Sequence, residues 1–143
     1  MTVDYHDNVD QSMLRTTVIV ARYKGNLAFC ARRNMSSYEI PHGHRGAGED
    51  IESAARRILY EKIGAKDFDL KPISAYSVLD DNGIKAFGML YFADVKEMDM
   101  SAPRSDIERV LYLAQPPTDA KRWSYPEIHP TLLLKVLSEI RES

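Results

Sequence analysis

The chain has 143 residues, enough for one domain, and its 44% hydrophobic content supports a real core rather than a disordered chain. A formal net charge of −2 gives no overall attraction to nucleic acid polymers or anionic membranes, which leaves small charged molecules, read by local fields, as the natural partners. The single cysteine, Cys30, excludes an internal disulfide, and no window approaches the roughly 18 apolar residues of a membrane helix.

The first dozen residues, "MTVDYHDNVDQS", are polar and acidic, unlike a signal peptide, so the expected setting is cytoplasmic. "RTTVIVARY" (Arg15–Tyr23) is rich in β-branched residues and reads as a strand. "KGN" then reads as a turn, and "LAFCARR" as the returning strand of a hairpin. Cys30 sits in that apolar run, which favours a buried structural thiol over a nucleophile. "MSSYEIP" carries a short extended piece to Pro41.

The stretch "PHGHRGAGEDIESAARRILYEKIGA" (Pro41–Ala65) reads as a glycine turn, a helix and a glycine stop. Gly48 is the expected N-cap, with Glu49, Asp50 and Glu52 crowding the first turn, where the helix dipole favours negative charge. Gly64 suits the left-handed position that ends a helix. Beyond it, "LKPISAYSVLD" (Leu70–Asp80) and "IKAFGMLYFADV" (Ile84–Val95) read as strands joined by the hairpin signal "DNG". "RVLYLA" (Arg109–Ala114) is a shorter strand, and "QPPTDAKRWSYPEIHP" a proline-marked loop. "TLLLKVLSEIRE" (Thr131–Glu142) closes as a helix, with Leu133, Val136, Leu137 and Ile140 on one face. Strands dominate and helices fall at two places, which predicts a single α+β domain over residues 1–143.

On the first helix, positions 58, 61 and 62 share a face. Carboxylates there would hold hard divalent cations through oxygen ligands. The residues present are Ile58, Glu61 and Lys62. Arg57, next to that face, is suited to orienting a carboxylate or touching phosphate.

This segment resembles the Nudix box, G-x5-E-x7-R-E-U-x-E-E-x-G-U, where U is a bulky aliphatic residue. Gly43 matches the first glycine, Glu49 the isolated glutamate, Arg57 the arginine, and Leu59 the first aliphatic residue. Glu61 matches the first glutamate of the pair and Gly64 the last glycine, with Ala65 a small version of the final aliphatic. The resemblance implies a mixed sheet sandwiched between helices. It also implies cleavage of a diphosphate linkage in a nucleoside diphosphate joined to another group, using water and Mg²⁺ or Mn²⁺. In that reading Glu61 is the remaining metal ligand, Arg57 its orienter, and Glu49 a residue near the metal.

Two positions depart from the motif. Ile58 and Lys62 stand where it has glutamates, so the metal face is three charge units less negative than the family pattern. Unit charges about 4 Å apart interact by roughly 4 kcal/mol at an effective dielectric of about 20, so an ammonium there opposes Mg²⁺. The expected metal affinity is therefore weak or absent. The alternative function is a non-catalytic module that holds a nucleotide or related phosphate ligand.

His42, where the family commonly has glycine, together with Gly43, His44 and Lys62, are the candidate phosphate or substrate contacts. Each has a plainer reading beside this one. Ile58 extends the apolar stripe of Ile51, Ala55 and Leu59. Lys62 pairs with a neighbouring acid, or its ammonium replaces the missing cation and binds phosphate. Glu49 serves the helix dipole and bridges to Arg57. His42 and His44 lack an evident third ligand for zinc. Glu97, Asp106 and Glu108 are read as loop acids, and Trp123 and Tyr125 either anchor a loop or stack on a base. The terminal helix offers core packing first and a homodimer face second.

Overall fold

The computed structural model describes residues 1–102 and 106–141. The strands are β1 (Thr2–His6), β2 (Leu14–Tyr23), β3 (Asn26–Arg32) and β4 (His42–His44), followed by β5 (Ala65–Leu79), β6 (Lys85–Met98) and β7 (Ile107–Leu113). The helices are α1 (Ile51–Ile63) and α2 (His129–Arg141). Glu142, the expected last residue of the terminal helix, lies outside the described residues.

One mixed sheet runs in the order β1-β5-β6-β2-β3-β7. Strands β2 and β6 pair in parallel, and the other pairs are antiparallel. One edge of β2 is shared: Thr16–Val18 pair with β4, and Ala21–Tyr23 pair with β3. That division places His42, Gly43 and His44 directly beside the first half of β2.

The alternation of side chains along each strand builds two cores, one on each side of the sheet. Ile19 and Ala21 of β2, Ala28 and Cys30 of β3, and Tyr91 and Ala93 of β6 pack with Ile51, Ala55, Ile58, Leu59 and Ile63 of α1. Val18 and Val20, Leu27 and Phe29, and Leu90 and Phe92 pack on the other side with Leu132, Leu133 and Val136 of α2. The central strands are buried on both faces, which is why they read as continuous apolar runs.

Several boundaries differ from the sequence reading. Residues Thr2–His6 form a strand, paired with Ala75–Leu79, although they are polar. A half-exposed edge strand draws its hydrogen bonds from its neighbour and needs few apolar residues. The N-cap of α1 is Asp50, whose carboxylate accepts from Ser53 N–H at 2.7 Å, not Gly48. Glu49 consequently precedes the helix. The expected glycine turn at Gly43 is the short strand β4. Glu97 and Glu108 lie on β6 and β7 rather than on loops. Strand β5 begins directly after Gly64, five residues before the expected start, and its pairing with β6 is irregular near Asp67 and Pro72.

Gly64 ends α1 in the left-handed conformation, φ 75°, and its carbonyl accepts from Asp99 N–H. A β-carbon at this position would collide with the Asp99 carbonyl oxygen. Gly64→Ala is expected to lower stability by at least roughly 1–2 kcal/mol, the cost of a left-handed non-glycine residue, as read by denaturant unfolding.

Candidate functional site

Helix α1 meets β4 through one close contact. A β-carbon on Gly43 would lie 2.8 Å from Ile58 Cδ1, so the strand approaches the helix only because position 43 carries no side chain. Ile58 is 1% exposed and belongs to the core beneath the sheet. The plain reading of Ile58 is therefore the one its burial supports.

Arg57 occupies the next angle of the helix and joins three segments. Its Nε and Nη2 donate to the two carboxylate oxygens of Glu49 at 2.9 and 3.0 Å. Nη2 also donates to the His44 carbonyl at 2.9 Å, and Nη1 donates to Glu61 Oε2 at 3.1 Å. Gly46 N–H donates to Glu49 Oε1 at 2.9 Å. Hydrogen bonds from Arg57, then from Gly46, hold the Glu49 carboxyl down at about 2. The bidentate partner Glu49, and secondarily Glu61, push the Arg57 guanidinium up. The expected Glu49–Arg57 bridge is present.

Lys62 Nζ donates to Asp106 Oδ1 at 2.7 Å, the acid-paired arrangement of the two weighed from sequence. Positions 58, 61 and 62 thus do not converge. Ile58 turns under Gly43, Glu61 turns to Arg57, and Lys62 reaches Asp106. A hard divalent cation takes about six oxygen ligands. Here the face supplies one carboxylate, already neutralised by a guanidinium, and an ammonium. Among the described residues no group of three or more His, Cys, Asp or Glu side chains could hold a metal ion. These residues do not fit the divalent metal that the motif implies.

A cavity of about 260 Å³ opens beside Gly43 on the α2 side of the sheet. Its walls come from Thr16 and Val18 of β2, His42 and His44 of β4, Tyr76 of β5, the loop residue Tyr125, and His129 at the start of α2. His42 and His44 are two apart on a strand, so both face it. No third His, Cys, Asp or Glu joins them to hold a metal among the described residues, and His42 Nδ1 donates to the Ile40 carbonyl at 2.9 Å.

Three rings make one wall. His42 and Tyr125 have centroids 5.2 Å apart, His42 and His129 5.0 Å, and Tyr125 and His129 4.9 Å. An ion pair braces them: Arg32 Nε donates to buried Glu39 at 2.9 Å, and Arg32 Nη2 donates to Tyr125 Oη at 3.0 Å. Opposite, Thr16 Oγ1 and Tyr76 Oη are hydrogen-bonded at 2.9 Å. Of the two aromatic candidates, Trp123 anchors the loop, edge-on to Phe29 with its N–H on the Pro117 carbonyl, while Tyr125 lines the cavity.

Arg32, Glu39, Tyr76 and His129 escaped the sequence reading. They come from four segments with no shared motif. The only local hint was polar residues set in otherwise apolar runs, "YEIP" and "EIHP".

No protein-family model and no curated protein sequence matches the chain. Solved structures do match. The Bacillus subtilis pyrophosphohydrolase BsRppH aligns with a TM-score of 0.80 at 22% identity, covering 96% of this chain and 90% of that one. A NUDIX hydrolase from Nitrosomonas europaea aligns at 0.71 and 17% identity, over 88% and 90%. The NUDIX domain of Shewanella oneidensis NrtR, solved with ADP ribose, aligns at 0.68 and 16% identity, over 93% and 94%. The chain has the Nudix fold.

Burial, then the neighbouring His42, pushes the His129 imidazole down to about 3. An unfolded histidine titrates near 6.5. Between these values the unfolded state binds the proton and the folded state does not, so stability falls as pH drops from about 6.5 toward 3. The groups facing His129 are His42 and Tyr125, with Glu39 behind His42. The melting temperature should fall between pH 7 and pH 4.5, and less steeply in His129→Asn.

Proposed function

We propose that this chain binds a small nucleotide-type molecule, with a planar ring in the cavity beside Gly43 and its phosphate or diphosphate at the rim by Gly43 and His44. Mg²⁺-dependent hydrolysis is not its main task in this reading. One observation carries it: the three metal-facing positions are each committed elsewhere, to the core, to Arg57 and to Asp106. The cavity abuts the glycine of the box and is walled by rings, which suits a flat ligand near a phosphate. That a Nudix domain of the same fold was solved with ADP ribose supports a ligand of this kind.

The second reading is the hydrolysis that the motif implies, in which Glu61 would be the one remaining carboxylate of the metal face and Arg57 its orienter. It is favoured by the intact Glu49–Arg57–Glu61 network, which places a carboxylate at the helix surface.

Titration calorimetry and a hydrolysis assay separate the two, using nucleoside diphosphates and ADP ribose with Mg²⁺, Mn²⁺ or chelator. The binding reading expects affinity that Mg²⁺ leaves unchanged and no turnover. Metal-dependent turnover of any of these ligands would instead establish the hydrolase.

The double substitution Ile58→Glu with Lys62→Glu restores the three units of negative charge that the motif has and this chain lacks. It also places a carboxylate in the core and a like charge beside Asp106, so its melting temperature should fall. If the two positions are what prevents metal binding, Mg²⁺ should raise the variant's melting temperature and leave the parent's unmoved. A folded variant that ignores Mg²⁺ means that more of the pocket than these two positions has diverged.

A further inference from the structure

The histidines of the ring wall are locked by the backbone of one residue. Ile40 N–H donates to His129 Nδ1 at 3.1 Å, and the Ile40 carbonyl accepts from His42 Nδ1 at 2.9 Å. A backbone N–H only donates and a carbonyl only accepts, so the two rings are held in opposite forms. Nδ1 of His129 is an acceptor, and neutral His129 therefore carries its hydrogen on Nε2. His42 carries a hydrogen on Nδ1, and in its neutral form Nε2 is a bare acceptor.

His129 is 3% exposed, and its Nε2 has no protein partner among the described residues. No fully enclosed side-chain nitrogen or oxygen among those residues lacks a partner, so the little exposure His129 retains includes Nε2. With His129 lining this cavity, the open Nε2 is assigned to it. A polar atom so desolvated is matched by a ligand acceptor or left at a cost.

We propose that His129, with His42, determines the specificity of this cavity, presenting one fixed N–H donor and one nitrogen acceptor to a ligand. The inference rests on the cavity being the ligand site. The class selected is a planar heterocycle with a hydrogen-bond acceptor and a donor side by side on one edge, as in a lactam or an amino-substituted ring nitrogen. A ring of the same shape without that pair is rejected. Among the described residues no Asp, Glu, Lys or Arg lines the cavity, so no carboxylate, ammonium or guanidinium reads the ring.

The two nitrogens of His129 can be tested apart. In His129→Asn the amide oxygen can keep the Ile40 N–H bond, but no donor reaches the position of Nε2. In His129→Gln the longer amide can return a donor near that position. Calorimetry would compare ADP, purine riboside 5′-diphosphate, which lacks the exocyclic amino group, and inorganic diphosphate, with folding of each variant checked by melting. The parent should bind ADP about tenfold more tightly than the unsubstituted purine compound, the scale of one neutral hydrogen bond. His129→Asn should lose about tenfold on ADP and nothing on inorganic diphosphate, and His129→Gln should recover much of the loss. A parent that binds ADP while His129→Asn binds it equally well overturns the role of His129 and leaves the ligand site standing. A parent that binds none of the three overturns the ligand site itself, and this inference with it.

Discussion

The contact between Gly43 and Ile58 is the constraint on which the rest of this structure depends. It brings β4 against α1 with no side chain between them, and it fixes the height of the strand over the helix. Once β4 is seated there, its pairing with Thr16–Val18 of β2 follows, and so does the outward presentation of His42 and His44. Arg57 closes the same junction from the surface, tying the helix to Glu49 ahead of it and to the His44 carbonyl on the strand. An apolar contact below and a charge-assisted network above hold one loop from two sides.

The same contact accounts for a frame that matches the motif beside a metal face that departs from it. A glutamate at position 58 would sit under Gly43 and would need a cation to offset its desolvation. Isoleucine fills that space without a charge and adds to the core. The change at position 62 is compatible with this. The lysine ammonium is neutralised by Asp106, so the helix carries no unpaired cation at that point. Glu61, left alone, becomes a partner of Arg57. The three positions form a consistent set of contacts in which no ion is required.

The cavity on the other side of Gly43 is built differently. The Nδ1 atoms of His42 and His129 are held by the backbone of Ile40, Tyr125 is held by Arg32 of the Arg32–Glu39 bridge, and the rings come from β4, a loop and a helix start. Burial keeps His129 uncharged, which lets a histidine stand in a wall that is mostly ring and aliphatic surface. The two halves of the site thus meet at one glycine: a charged frame on the α1 side, and a ring-walled cavity on the α2 side.

By itself the sequence determined the elements whose signals are local. The first hairpin, the helix with its glycine stop, the long β5–β6 hairpin and the terminal helix follow from β-branched runs, turn residues and helical spacing, which act within a few residues of each other. The spacing of Gly43, Glu49, Arg57, Glu61 and Gly64 also made the Nudix resemblance legible, because one helix and its approach carry the whole motif. Tertiary structure decided what depends on distant partners. The polar segment at residues 2–6 is a strand because β5 offers it a free edge. Lys62 is paired because β7 begins beside it, 44 residues later in the chain. Ile40 can fix two histidines, one of them 89 residues away, only once α2 has packed across the sheet. Hydrogen-bond partners and desolvation belong to the assembled surface, and no local pattern of residues encodes them.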